Sequence, residues 1–80
     1  MLNPVSWRIY ATAQVRESHA TLYLIPGGGV NLRAKSDEEL LLDGFYASVE
    51  EAVLEAALSG LPQALYDALL DAVARRGETG

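Results

Sequence analysis

From Val5 to Val15, apolar and polar residues alternate almost without a break. Val5, Trp7, Ile9, Ala11, Ala13 and Val15 fall in one phase, and Ser6, Arg8, Tyr10, Thr12 and Gln14 in the other. A period of two over this length predicts a half-buried strand. Arg16-Glu17-Ser18-His19 is short and polar and suits a hairpin connection. Ala20 to Ile25 then predicts a second strand, with Ala20, Leu22 and Leu24 on one face and Thr21, Tyr23 and Ile25 on the other. Pro26 has no amide hydrogen and ends the pairing, and Gly27-Gly28-Gly29 permits a tight turn. Val30, Leu32 and Ala34 alternate with Asn31, Arg33 and Lys35 in a third strand. Links this short favour an antiparallel meander.

Residues 36–47 read in two ways. Ser36-Asp37-Glu38-Glu39 has the form of a helix cap, and Gly44 suits a stop, which together give a helix of under two turns. The rival is a fourth strand from Glu39 to Ala47, bent or turned at Asp43-Gly44. The pattern leans towards the short helix followed by an extended Phe45–Ala47.

The remainder is helical. Ser48-Val49-Glu50-Glu51 is a capping box, with the serine oxygen placed for the amide of Glu51 and its carboxylate placed to reach back. This helix is expected to run through Leu58 and stop at Ser59-Gly60. Pro62 opens a second helix, expected to run to Arg76 and to end at Gly77, with residues 77–80 frayed. On that helix Gln63, Asp67, Asp71 and Arg75 form one narrow polar stripe, and nearly everything else is apolar. Tyr66, Leu70 and Val73 therefore mark a candidate dimer face.

The expected architecture is one α+β domain over residues 1–80. An antiparallel meander of three or four strands carries two C-terminal helices on one face. The expected core is Trp7, Ile9, Ala11, Leu22, Leu24, Val30, Leu32, Val49, Val53, Leu65, Leu69 and Val73. Half of the chain is hydrophobic. So much apolar material in so small a domain points to surface hidden in a partner or a second copy.

Charge sharpens the division between strands and helices. Residues 1–36 carry four cations and one acid, +3, whereas residues 37–80 carry ten acids against Arg75 and Arg76, −8; the sum is the net −5 of the chain. An acidic total disfavours nucleic acid or an anionic membrane as the partner of the whole molecule. Cysteine is absent, which excludes disulfides and thiolate metal sites. Met1 to Val5 lacks the basic start of a signal peptide, and no apolar run is long enough to span a bilayer, so a cytoplasmic location is expected.

Few residues suggest catalysis. The triple glycine is followed by a strand-like segment, and it lacks the lysine and hydroxyl residue of a phosphate loop. His19 is the only histidine, and Ser18 beside it is not placed to use it as a base. The carboxylates of Asp37-Glu38-Glu39 and Glu50-Glu51 fit helix starts better than a metal site or an acid–base pair. No catalytic, metal or cofactor residue is assigned, and the chain reads as non-enzymatic. The outward sheet face is the more informative surface. Arg8, Tyr10, Tyr23, Arg33 and Lys35 are expected to share it, giving either a protein contact or a platform on which single-stranded nucleic acid stacks.

The run from Ile9 to Val30, with Leu22-Tyr23-Leu24-Ile25-Pro26 before the glycines, and the opening Ser48-Val49-Glu50-Glu51-Ala52 of a helix loosely resemble the strand and helix order of HicB-type antitoxin domains. The resemblance covers roughly half of the chain. Residues 31–47 and the last helix depart from it. The leading expectation remains a small interaction module acting through protein contacts as a homodimer, with a single-stranded nucleic-acid binder as the alternative.

Overall fold

Four strands in sequence order are followed by two helices in a computed structural model that describes residues 7–79, with side chains to Arg76. The strands are β1 (Arg8–Val15), β2 (Ser18–Leu24), β3 (Val30–Ser36) and β4 (Glu39–Tyr46). They form one sheet of order β1-β2-β3-β4 with every neighbour antiparallel. The helices are α1 (Val49–Leu58) and α2 (Gln63–Thr79). The α+β meander with two C-terminal helices is thus the observed fold. Val5, placed with the first strand in the sequence reading, lies outside the described residues.

Within residues 36–47, Glu39–Tyr46 form the fourth strand and there is no short helix. A helix of under two turns fixes many dihedrals for few hydrogen bonds and is poorly nucleated. Pairing with β3 instead aligns Val30 with Tyr46, Leu32 with Gly44 and Ala34 with Leu42. The connection is the two residues Asp37-Glu38, and Asp37 takes φ 55°. The β1–β2 hairpin is equally tight. Its turn is Arg16-Glu17, with Arg16 at φ 56°, so Ser18 and His19 belong to β2 and not to the loop. The two turns lie side by side, and the Asp37 amide donates to the Glu17 carbonyl at 2.9 Å. Gly27, Gly28 and Gly29 all take positive φ in the β2–β3 turn, and β3 begins at Val30 with no helix behind the glycines.

Both helices cover one face of the sheet. α2 packs on β1 and β2, and α1 on β4 and β3. Between them and the sheet sit Ala13, Ala20, Leu22, Val30, Leu32, Ala34, Ala52, Ala56, Leu65 and Leu69. Leu24, Val49, Val53 and Val73 are partly buried against this cluster, as expected of core positions. Alanines on both layers let the helices approach closely, so much of the core is small side chains packed at short range.

Trp7 and Ile9 do not join that core. The register shifts between Ile9 and Ala11, pairing Ile9 with Tyr23 but Ala11 with Leu22. One extra residue in a strand reverses the faces of everything before it. Ala11 and Ala13 keep the core side, while Ile9 turns outward and is 58% exposed.

The first helix begins as its capping residues predict. Ser48 Oγ accepts from the Glu51 amide at 3.2 Å, and Glu51 Oε2 accepts from the amide of Ala47, one residue before the cap, at 3.0 Å. α1 ends at Ser59, with Gly60 at φ 81°. α2 continues past Gly77 to Thr79, since the glycine lowers helix propensity without breaking the hydrogen-bond ladder.

Candidate interaction face

The face of the sheet away from the helices has no helix or strand packed on it among the described residues. Its side chains follow from the register. Ile9, Tyr23, Asn31 and Phe45 form a row across all four strands, because Ile9 pairs with Tyr23, Tyr23 with Asn31, and Asn31 with Phe45. The next row is Thr12, Thr21, Arg33 and Asp43, and the next Gln14, His19, Lys35 and Leu40.

Trp7 roofs the first row. Its ring lies 5.8 Å from that of Tyr23 and 5.8 Å from that of Phe45, edge-on to both. The indole therefore spans the β3 position between them, which is Asn31. Edge-to-face contacts of this kind add to the stabilisation from buried area alone. Asn31 is 0% exposed although it is on the outer face. Its Nδ2 donates to Asp43 Oδ1 and to the Gly44 carbonyl, both at 3.0 Å. Its Oδ1 and the Trp7 Nε1 are both buried without a hydrogen-bond partner. An acceptor and a donor thus lie unpaired in one aromatic cluster, which is uncommon for buried polar atoms.

The edge of this cluster is apolar and open. Phe45 is 63% exposed, in addition to Ile9, and Leu40, two rows away on β4, is 53% exposed. Charge on the face is sparse. Arg33 bridges to Asp43 at 3.5 Å, and Lys35 is the other lysine or arginine in these rows.

Of the five residues expected to share this face, Tyr23, Arg33 and Lys35 do. Tyr10 is the extra residue of the bulge and lies on the helix side, where Arg76 stacks on its ring at 5.5 Å from the centroid. Arg8 pairs with Leu24, which packs towards the core, so it is also off the outer face. The residues that sequence pattern missed here are Trp7, Ile9, Asn31 and Phe45. The first two were hidden by the bulge. Asn31 was in outward phase, and Phe45 takes that phase only once β4 pairs with β3; the signal that could have found them is the lack of a second layer to cover so many rings.

The candidate dimer face on α2 is smaller than its sequence suggests. Tyr66 and Val73 pack partly buried against the core, and Leu70 is 37% exposed. α1 exposes Leu54 and Leu58, one turn apart. His19 is exposed on β2 between Gln14 and Lys35, and Ser18 Oγ donates instead to Ser36 Oγ at 3.0 Å. Among the described residues no three His, Cys, Asp or Glu side chains are grouped to hold a metal ion, and no helix is long and apolar enough to cross a membrane.

One ionisable group here is clearly perturbed. The Tyr46 hydroxyl has a raised pKa, chiefly because burial disfavours its charged form, with Glu55 and Asp43 adding repulsion. Its ring lies back across Gly44, where a Cβ would sit 2.8 Å from the ring carbon Cζ. No protein-family model matches the chain, and neither a curated protein nor a solved structure is significantly similar to it.

Proposed function

We propose that this protein is a small, non-enzymatic interaction module that pairs with a second copy of itself through the open sheet face. One observation carries the reading: Ile9 and Phe45 are more than half exposed beside the rings of Trp7 and Tyr23, with Leu40 exposed two rows further along the same face, which no described element covers. Aromatic and aliphatic side chains in one patch are the usual content of a protein contact. Charge selects the second copy. A molecule of net charge −5 meets its own copy with least repulsion where acids are fewest, and the three described rows of this face hold Asp43 alone, already engaged by Arg33.

Sedimentation across a dilution series tests this. Phe45→Ser is expected to raise the dimer dissociation constant at least about tenfold, as loss of a central aromatic anchor does. A wild-type protein that stays monomeric at high micromolar concentration overturns the reading.

The nucleic-acid alternative retains Tyr23, Arg33 and Lys35 on the face, with Phe45 and Trp7 as further rings. Arg8 and Tyr10 lie elsewhere, and Arg33 is bridged by a carboxylate. Titration of a labelled single-stranded oligonucleotide at low salt separates the two. Binding that falls steeply with salt and is lost in Phe45→Ser supports the alternative.

A further inference from the structure

A different surface lies at the sheet's last edge. β4 pairs with β3 alone, so along its other side the backbone donors and acceptors have no strand opposite them among the described residues. The register shift at Leu41, between the pairs Ala34–Leu42 and Lys35–Leu40, breaks the start of this edge. From Leu42 to Tyr46 the pairing with β3 is regular, residue for residue. That stretch has the length of an ordinary strand and can accept one more by backbone pairing. A strand added here sends alternate side chains to the two faces. On the helix side they stand beside Leu42 and Tyr46, and on the open side beside Asp43 and Phe45.

Both outer strands are open, and charge separates them. Along β1, its turn and α2, four arginines are matched by four acids. From Asp37 to Glu55, along the β3–β4 turn, β4 and α1, there are seven acids and no lysine or arginine. β3 beside them adds Arg33 and Lys35, which leaves an excess of five acids, and the neighbouring Arg16-Glu17 turn brings one charge of each sign. Two of the acids are engaged: Asp43 bridges to Arg33, and Glu51 Oε2 accepts from the Ala47 amide. Glu39, Glu50 and Glu55 have no ion pair or side-chain hydrogen bond among the described residues. Glu51 and Glu55 lie one turn apart on the side of α1 towards β4. Glu51 reaches the amide just past the strand, and the charge of Glu55 acts on the Tyr46 hydroxyl within it. The helix therefore sets carboxylates over the helix side of this edge.

We infer that the β4 edge, from Leu42 to Tyr46, is a strand-acceptor site for an extended, basic segment of a partner protein. Backbone pairing supplies the contact, and the lysines or arginines of the segment, in its helix-side phase, meet the carboxylates of α1. The inference goes beyond the proposed dimer and does not rest on it. Phe45 borders both surfaces, but pairing at the edge leaves the row of Ile9, Tyr23 and Asn31 untouched. Charge also excludes a second copy as the occupant. β4 against β4 sets these acids against their own copies, and β4 against β1 is head-to-tail and does not close. Acids on an edge strand turn away like edges and leave it open to a chain of opposite charge.

The test is a titration of the full chain with a fluorescein-labelled peptide alternating lysine and threonine, read by anisotropy and by amide chemical shifts. Binding is expected, with shifts from Leu42 to Tyr46 and at Glu55, and with affinity falling about tenfold between low and high salt. Glu55→Lys is expected to weaken it about tenfold or more. N-methylation of every second peptide amide is expected to abolish it, which separates strand pairing from charge attraction alone. Ile9→Ser, on the open face, is expected to leave it within about twofold, so this result stands or falls apart from the dimer. A glutamate-for-lysine peptide is expected not to bind. The proposal is overturned by no binding of the basic peptide at millimolar concentration, by equal binding of the N-methylated or glutamate peptide, or by shifts confined to the open sheet face or to β1. It is overturned in favour of self-assembly if a peptide copying Arg8–Arg16 binds the β4 edge more tightly than the lysine–threonine peptide.

Discussion

At the scale of single residues, Gly44 and Tyr46 act as a pair. The Tyr46 ring occupies the space where a Gly44 side chain would stand, and the glycine lets an aromatic ring lie flat on an edge strand. Gly44→Ala must displace that ring, and is expected to cost about 1–3 kcal/mol in urea denaturation, as overpacking does. In a Tyr46→Leu background the same change should cost much less, so the double-mutant cycle should show coupling. The raised pKa of Tyr46 carries a second prediction. The folded state holds the neutral phenol, whereas the unfolded chain releases its proton near the ordinary value of 10.0. This contribution is complete below that pH and is lost as pH rises through the higher folded-state value. Denaturation curves for wild type and Tyr46→Phe should therefore converge or cross as pH is raised above 10, after separation at pH 8. Parallel curves across that range would contradict the assignment.

At the scale of elements, the two features that matter most are a bulge and a cap. The bulge at Tyr10 sets which side chains of β1 meet the core and which meet solvent. Ile9→Ser is therefore expected to change monomer stability by no more than about 0.5 kcal/mol, despite the apolar phase it shares with Ala11 and Ala13. Thermal melts at dilution check this, and a loss of several kcal/mol would place Ile9 in the core after all. The cap at Ser48 supports a helix of ten residues whose fully buried side chains are only Ala52 and Ala56, with Val49 and Val53 partly buried beside them. With so little burial to hold it, α1 should depend on its start. Ser48→Ala is expected to destabilise by about 1 kcal/mol, seen as a lower denaturation midpoint with unchanged slope.

At the scale of the whole molecule, the layers are unequal. One face of the sheet is sealed by two helices, and the other holds an aromatic cluster with an open rim. Three apolar surfaces compete as contact sites: this rim, Leu54 with Leu58 on α1, and Leu70 on α2. Leu58 is 74% exposed but stands among the acids of α1, where a second acidic copy is repelled. Leu58→Lys is accordingly expected to leave the dimer dissociation constant within about twofold of wild type, while Phe45→Ser raises it. The opposite result in sedimentation would move the contact to the helices. The charge division of the chain also takes its meaning at this scale. What is a basic first half and an acidic second half along the sequence becomes one acidic edge, at β4 and α1, and a mixed one at β1 and α2, where Arg8, Arg16, Arg75 and Arg76 are matched by Glu17, Asp67, Asp71 and Glu78.

The sequence by itself determined the elements whose signals are local. Alternation set β2 and β3, Pro26 with the three glycines set the β2–β3 turn, Gly60 with Pro62 set the gap between the helices, and Ser48 with Glu51 set the start of α1. These depend on side-chain periodicity and on hydrogen bonds a few residues apart, which are read directly from residue order. The fourth strand could not be decided that way, because Ser36 to Glu39 satisfies a helix cap locally and only pairing with β3 makes the strand better. Nor could the face of Trp7 and Ile9 be decided. A bulge is a fault in register between two strands, and register is a property of the pair. The open face followed from that same fault. It turned a tryptophan and an isoleucine out of the core and onto Tyr23, Asn31 and Phe45, where residue order alone had placed tyrosines and arginines. Tertiary structure thus decided the surface through which the protein is proposed to act, because contacts across strands, unlike turns and caps, are made by residues far apart in the chain.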